Sequence, residues 1–466
     1  MGNGVALDMS EYDLIVVGAG PAGVSAAIEA ARGGLRVALL ERGPYPGAKS
    51  LMGGVLYTDV LAELVPDFRE RGAPLERHVV RRGLSVLSAD AEMSLGFRTR
   101  RWDEPPHNHS YTVLRARFDR WFAEVAEAEG VEVVSGVVVD RVVRDADGRV
   151  VGVSARMPEG EDPEAGILQA PLVILAEGAN ALLAEAEGLR PRPSPKHMAL
   201  GIKETLGLPR QVIEDRFGLE GDQGVAWEYV GDATGGLRGA GFVYTNRETL
   251  SVGLVVFGSD LAAQGTTPVD LLNRFKAHPA VAPLVRGAEL LEYGAHLLPE
   301  TGYDRLPILF RDGVLLVGDA AGLVSTSPSH EGSNYAMASG RMAGQTAVEA
   351  HRKGDFSSAT LSGYRRRLEE SFVLKDMAHY RAWPGFLEQN PHVFTRWPAA
   401  FAEMAEAWLR VGGGPRSERG AEIWDLFQRR IGIWPFATTA FQMRNALRVL
   451  GYGKTDKILE YLAKNW

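Results

Sequence analysis

Three glycines spaced Gly18-x-Gly20-x-x-Gly23, an acid at Glu41 and a second glycine–acid pair at Gly318-Asp319 are the residues whose types and spacing could do chemistry. That chemistry is the holding of a phosphate-bearing nucleotide. Gly18 permits a tight turn. Gly20 has no Cβ, so a pyrophosphate can approach the backbone, and Gly23 lets a helix pack closely on a sheet. The N–H groups and dipole at the helix start that follows Pro21 and Ala22 favour phosphate charge. Glu41 can accept hydrogen bonds from a ribose diol and disfavours a 2′-phosphate.

These roles need elements to position them. Asp13 to Val17 is a short run rich in β-branched residues and predicts a buried strand. Val24 to Arg32 predicts an Ala-rich helix, and Leu35 to Leu40 a second strand ending at Glu41. Strand, glycines, helix, strand and acid all occur in order, which is the context a dinucleotide motif requires. The motif alone does not separate FAD from NAD.

The chain has 466 residues, enough for about two or three domains. Its net charge of −8 disfavours non-specific nucleic-acid binding, although the last hundred or so residues carry local basic clusters. Cysteine is absent, so the chain supplies no thiolate to an iron–sulfur cluster, a zinc site or a redox disulfide. A dithiol-type flavin disulfide reductase is therefore excluded. No signal peptide precedes Tyr12, the first residues lack a myristoylation signal, and no apolar run is long enough to span a bilayer. A cytoplasmic protein is expected, with attachment to a membrane surface left open.

After Glu41, the stretch Arg42 to Gly54 is rich in glycine and proline and includes Lys49 and Gly53. It reads as a surface connection or, the favoured reading, as a loop lying along a bound cofactor. Arg115 heads a helix that ends near Gly130. It either pairs with a pyrophosphate or is a solvated arginine paired with Asp119, and the residues do not choose between the two. Val137 to Val143, which contains Val139, and Arg149 to Ala155 predict a hairpin around Asp147-Gly148. Pro171 to Ala176 predicts a buried strand closed by Glu177-Gly178, where glycine again permits close approach.

From Arg190 the character changes. Pro191, Pro193 and Pro195 form a stiff linker. Strands are then expected at Ala199 to Thr205, Gly224 to Tyr229, Gly239 to Thr245 and Leu250 to Phe257, an antiparallel sheet inserted into the first domain. Gly313 to Val317 returns as a buried strand leading into Gly318-Asp319. His330-Glu331-Gly332-Ser333-Asn334 then opens a long helix to about Arg352. A buried carboxylate at Asp319 needs partners, which the sugar-alcohol hydroxyls of a flavin would provide. The helix start at Gly332 would stabilise negative charge on a reduced flavin ring.

Together, the three glycines, Glu41-Arg42, the Arg115 helix and Gly318-Asp319 resemble the glutathione-reductase-type FAD fold shared by aromatic hydroxylases and geranylgeranyl reductases. The resemblance is closer to the FixC-type electron-transfer-flavoprotein:quinone oxidoreductases. It rests on Glu41-Arg42-Gly43-x-Tyr45-Pro46-Gly47-x-Lys49, Arg115-Ala116-x-Phe118-Asp119-x-Trp121-Phe122, Pro299-Glu300-x-Gly302-Tyr303, His330-Glu331-Gly332-Ser333-Asn334-x-Ala336-Met337 and Phe386-Leu387-Glu388-x-Asn390-Pro391. It covers nearly the whole chain. It implies an α/β fold: a discontinuous Rossmann-like FAD-binding domain (residues 1–85, 110–190 and 299–360), an inserted antiparallel β-sheet quinone or substrate domain (86–109 and 191–298), and a helical C-terminal region (361–466).

The resemblance also implies FAD, held by Gly18, Gly20, Pro21, Ala22, Gly23, Glu41, Arg42, Lys49, Gly53, Arg115, Val139, Glu177, Gly178, Gly318, Asp319, Gly332 and Asn334. It implies electron transfer from an electron transfer flavoprotein to a membrane quinone, with a separate ferredoxin-like subunit supplying the iron–sulfur cluster that a cysteine-free chain cannot bind. Some such assemblies bifurcate NADH electrons. The implied location is the cytoplasm, peripheral on the inner face of the cell membrane. His330 is a candidate proton donor, with a structural hydrogen bond the stronger reading of it. An isoprenoid-reducing or hydroxylating flavoenzyme of the same fold, and a flavin-binding subunit with a structural role, are the alternatives. Near the C-terminus, Phe436, Ala440, Met443, Leu447 and Leu450 recur at helical spacing beside Arg444, Arg448 and Lys454. Core packing, a membrane surface and a partner subunit would each explain that stripe.

Overall fold

A computed structural model describes residues 12–50, 54–103, 108–157, 166–328, 331–412 and 414–447. The chain opens with β1 (Leu14–Val17), α1 (Pro21–Arg32) and β2 (Val37–Glu41). It leaves that sheet for β3 (Val55–Tyr57), α2 (Asp59–Leu64), β4 (Leu75–Leu87), β5 (Glu92–Arg98) and β6 (Ser110–Val113), then returns through α3 (Arg115–Ala128) to β7 (Glu132–Ser135). A small antiparallel sheet of β8 (Val139–Arg144), β9 (Val150–Ala155) and β10 (Ile167–Gln169) precedes β11 (Val173–Leu175) and α4 (Leu182–Ala186).

The second excursion comprises β12 (Met198–Gly207), α5 (Arg210–Phe217), β13 (Gln223–Gly231), β14 (Gly239–Thr245), β15 (Thr249–Phe257), α6 (Gly258–Gln264), α7 (Pro268–Ala277), α8 (Ala282–Val285) and β16 (Glu289–Pro299). The chain comes back as β17 (Phe310–Arg311), β18 (Val314–Leu316) and the long α9 (Ser333–Lys353). Helices α10 (Ser358–Glu370), α11 (Phe372–His379), α12 (Trp383–Gln389), α13 (Arg396–Leu409), α14 (Arg416–Arg430) and α15 (Ile433–Leu447) complete it.

The first sheet has the order β17-β18-β11-β1-β2-β7. Its central strands are parallel, and only β17 runs against its neighbour. These strands are apolar throughout because helices cover both faces. The second sheet has the order β16-β12-β15-β14-β13-β4-β6-β3, with β5 paired to β4. It is antiparallel except where β4 meets β13 in parallel. Because β3 and β4 belong to it, this sheet starts earlier in the chain than the expected boundary at residue 86. Alternating strands do not reveal which sheet they join, since pairing is settled by partners more than a hundred residues away.

Each sheet has its own core. One cluster surrounds the parallel sheet, α1, α3, α9 and α10; the other lies beneath the large sheet and is closed by α5 and α7. Among the described residues, no helix is long and apolar enough to cross a membrane.

Candidate functional site

The nucleotide end is built by α1 and the two strands beside it. Gly18 has φ +106°, and a Cβ there would meet the Ala176 carbonyl oxygen at 2.3 Å. A Cβ on Gly23 would meet the Gly18 carbonyl oxygen at 1.9 Å. These two glycines therefore serve close packing. Gly20 differs: a Cβ there would meet nothing within 4 Å, because the position faces open space at the start of α1. Pro21 occupies the first helical turn, where its missing N–H costs nothing. The Glu41 carboxylate is held in place by the N–H groups of Ala19 (3.1 Å) and Gly43 (2.6 Å). The segment leading to Val139 runs alongside, with the Gly136 N–H donating to Gly43 O at 2.8 Å and that of Val137 to Glu41 O at 2.9 Å.

The second glycine turn abuts the first. A Cβ on Gly318, at φ +59°, would meet the Ala22 Cβ at 2.9 Å, and the Gly318 N–H donates to Ser339 Oγ of α9 at 3.0 Å. Arg190, buried at the start of the proline linker, ties a third turn to it. Its Nη2 donates to Ala179 O at 2.7 Å and its Nη1 to Ala320 O at 3.1 Å. Glu177 gives both carboxylate oxygens to the N–H groups of Leu183 and Ala184, at 2.8 and 3.0 Å. This leaves the open backbone at Gly178 as the part of that turn able to face a ligand. Gly332, at the start of α9, likewise faces open space.

Arg115 pairs with Asp119, but it is not a solvated arginine. The pair is bidentate at 2.7 and 2.7 Å, Asp119 is fully covered, and Asp319 adds to the field on the guanidinium. Burial pulls this arginine down, but the two carboxylates hold it above its ordinary value. The loop after Glu41 crosses here, and Gly47, at φ +87°, is needed because a Cβ would strike Asp119 at 2.8 Å. Beyond it, exposed Lys49 reaches a small cavity shared with His296. Exposed Arg42 acts on the same histidine.

The floor facing these turns is one side of the large sheet. Ile202 and Leu206 enter the core, so Lys203 and Thr205 point the other way. The strand registers align one row across seven strands: Gly294, Lys203, Gly253, Phe242, Glu228, Leu84 and Leu95. Arg82, on the same face, donates to the Tyr57 hydroxyl at 2.6 Å and pairs with Glu228 at 3.6 Å. Titratable groups with displaced values gather where this floor meets the turns. Burial pushes Asp319 up and His296 down. Burial, helped by Asp319, pushes Glu300 up to about 8. Burial also pushes Lys203 down to about 8, against the pull of Glu292.

Thus the fold brings together Gly18, Gly20, Pro21, Ala22, Gly23, Glu41, Arg115, Gly318 and Asp319, with Gly178, Gly332 and Asn334 around them. Gly53 and His330 lie outside the described residues. Sequence reasoning gave no site role to Arg190, Lys203, His296 or Glu300. Glu300 stood in a quoted motif, and the alternation Ile202-Lys203-Glu204-Thr205-Leu206 was the available signal for Lys203.

Two buried oxygens in this region have no hydrogen-bond partner: Thr301 Oγ1, beside the Gly322 end of the second turn, and Asn334 Oδ1, in the first turn of α9. Orphaned acceptors and donors beside open glycine backbone are what a polar, ring-bearing ligand would satisfy. The residues therefore fit FAD.

Comparison with known proteins gives the class first. The FAD dependent oxidoreductase family profile matches residues 13–188. A geranylgeranyl bacteriochlorophyll reductase-like protein from Thermoplasma acidophilum superimposes with a TM-score of 0.68 at 19% identity, over 91% of this chain and 97% of that one. The chain is an FAD-dependent oxidoreductase with FAD as its cofactor.

The family is narrower. The profile of the ETF-QO/FixC family C-terminal domain matches residues 383–448. The chain is 44% identical over 440 residues to Protein FixC of Azorhizobium caulinodans, covering 94% of this chain and 99% of that protein. It is 42% identical over 407 residues to the probable electron transfer flavoprotein-quinone oxidoreductase YdiS of Escherichia coli K12, covering 87% and 92%. This protein belongs to the FixC and electron transfer flavoprotein-quinone oxidoreductase family, and its work is electron transport.

Proposed function

We propose that this chain passes electrons from an electron transfer flavoprotein, through its FAD and with a ferredoxin-like partner subunit, to a membrane quinone. FAD supplies the redox chemistry when bound, and the chain's residues hold and tune it. Gly20 and the start of α1 receive the pyrophosphate, Glu41 takes the ribose, and Arg115 and Asp319 set the charge between the nucleotide and the ring. A cysteine-free chain leaves the cluster to another subunit.

The observation that carries the quinone reading is the face of the large sheet. The row that holds Lys203 and Glu228 continues outward to Leu84 and Leu95 on the β4–β5 hairpin. Met93, Leu95 and Phe97 alternate on that face, and Leu95 is 78% exposed. Arg98, Arg100 and Arg101 follow directly. An exposed apolar hairpin flanked by arginines suits the inner face of an anionic membrane and gives a lipid-soluble acceptor an apolar path to the charged floor. Exposed Trp408, Trp424 and Trp434 on the C-terminal helices offer a second apolar surface, for the same membrane or for the partner subunit. An assembly dividing NADH electrons between the quinone and a low-potential carrier is the extended form of this reading.

The test is anaerobic mixing of the FAD-loaded protein with reduced electron transfer flavoprotein, the ferredoxin-like subunit and a soluble quinone. Quinol should form only when this chain is present. Unchanged quinol formation without the chain, or rapid flavin bleaching by NAD(P)H alone, would sink the reading; the second result belongs to a self-sufficient reductase or hydroxylase.

A further inference from the structure

Lys203 stands outside the glycine turns, yet it is only 1% exposed at the middle of the sheet floor. Across the sheet its neighbours are Gly253 on β15 and Gly294 on β16, so the amine is not crowded by its own row. Charged groups acting on it include Glu292 from the edge strand β16 and Arg115 from α3, while β15 presents Ser251, Gly253 and Val255 beside it. Farther along β16, the Asp319 carboxylate acts on His296 against the effect of its burial. Glu292 is exposed, and together with His296, Lys49 and Ser50 it lines a cavity of about 140 Å³.

We propose that Lys203 is the charge-compensating residue of the redox site, its amine taking up a proton when two electrons enter the flavin and releasing it when they leave, with Glu292 and the cavity beside it as the route to water. This rests on the FAD reading of the site and on no particular donor or acceptor. On reduction, a two-electron donor supplies both electrons, the flavin would take one proton, and a second proton leaves water to form one N–H bond at Lys203 Nζ. On reoxidation that bond breaks, its proton and the flavin's are released, and the electrons go to the acceptor. Negative charge arriving beside a desolvated amine favours its ammonium form, the largest lever a dry site has on such a group. Burial already places Lys203 where this change falls near neutral to mildly basic pH.

The experiment is a redox titration of the holoprotein from about pH 7 to about pH 10, after absorbance has established that FAD is bound. In the unaltered protein the potential should fall with pH about twice as steeply above pH 8 as in Lys203→Met, because about two protons instead of one accompany the two electrons. Lys203→Arg, with its charge fixed, should also lose the steep limb and stay easier to reduce than the unaltered protein at high pH. An unchanged limb in Lys203→Met overturns the proposal, as does its loss in Glu300→Gln while Lys203→Met keeps it. Should neither Lys203 variant hold FAD, proton uptake is counted on Glu300→Gln during reduction in weak buffer near pH 8.5. About two protons per two electrons support Lys203, and one overturns it. Unaltered protein that never takes up FAD overturns the reading beneath the proposal instead.

Discussion

At the scale of single residues, the three glycines of the first turn do different work, and substitution separates them. Gly20 has φ −79° and ψ 178°, extended backbone that any residue adopts, and its Cβ would point into open space. Gly20→Val should therefore leave the thermal midpoint of the flavin-free protein unchanged and lower FAD affinity at least about tenfold, roughly 1.4 kcal/mol, in a fluorescence titration. Gly18→Ala meets both a positive φ and a backbone oxygen at 2.3 Å, so it should cost about 3 kcal/mol or more of stability before any ligand is offered. Spacing alone announced these glycines because their roles are local. Lys203, Arg190, His296 and Glu300 were not legible in the same way, since each acquires meaning from a strand or turn far along the chain. Glu300 also carries a pH signature. Its ordinary value of 4.5 is raised to about 8, so the folded protein keeps a proton that the unfolded chain has lost. Stability should then fall as pH rises from about 4.5 to about 8, with the full loss present above that. Glu300→Gln removes the loss: its midpoint should match the unaltered flavin-free protein near pH 5 and exceed it by about 2 °C or more near pH 8.5. Equal midpoints at both pH values would show that the carboxyl is ordinary.

At the scale of elements, the site exists because α1 and α9 touch. A Cβ on Gly340 would lie 1.9 Å from the Ala22 carbonyl oxygen, and one on Gly344 would lie 2.6 Å from that of Ala26. Two helices three hundred residues apart in sequence are thereby pressed backbone to backbone, which holds the Gly318 turn against the start of α1. Gly340→Leu should push them apart, lower the midpoint by several degrees and abolish FAD binding. The Ala- and Gly-rich character of α9 was readable in the sequence, but its partner was not. The C-terminal helix α15 is a different case, since core packing, a membrane surface and a partner subunit would each explain its stripe. Among its described side chains the buried ones are Thr439 and Ala446, while Phe436 and Met443 stay exposed and Trp434 is 81% exposed. Thr439 Oγ1 bonds to His392 at 2.9 Å and to Asn390 Oδ1 at 3.3 Å, and the half-exposed Phe436 ring rests on Trp397 and Phe427. Leu450, Arg448 and Lys454 of the expected stripe lie outside the described residues. The β4–β5 hairpin gives a direct test of surface attachment. Leu95→Glu with Phe97→Glu removes exposed apolar area that no core uses, so the fold should be unaffected. Sedimentation with anionic phospholipid vesicles should fall by about tenfold or more, because burial in lipid of two such side chains contributes roughly 1.5–3 kcal/mol each. Undiminished sedimentation would move the membrane contact to the C-terminal helices.

At the scale of the whole molecule, two separate apolar cores meet across a polar joint. The cluster under the large sheet is separate from the one around the parallel sheet, which takes in Leu56 of β3 and Val113 of β6 from the large sheet's far end. Arg115, Asp319, His296, Glu300 and Lys203 lie where the two bodies face each other; burial displaces the last four, and Arg115 is held up against burial by its carboxylates. Desolvated charge at a joint opposes its closure, whereas each core favours its own folding independently. The flavin-free protein should therefore unfold in two calorimetric steps, one per core, because little apolar surface couples them. On the proposed reading FAD would bridge the bodies, its nucleotide end held by residues of the parallel sheet and its ring by those on the floor of the large one. Ligand that binds only when both are folded stabilises both, by about 2.7 kcal/mol at a hundred times its dissociation constant. Saturating FAD should raise the lower transition more than the upper and draw the two into one. A ligand held by the parallel-sheet body alone would shift one transition and leave the other in place, and that outcome would remove the large sheet from the flavin site.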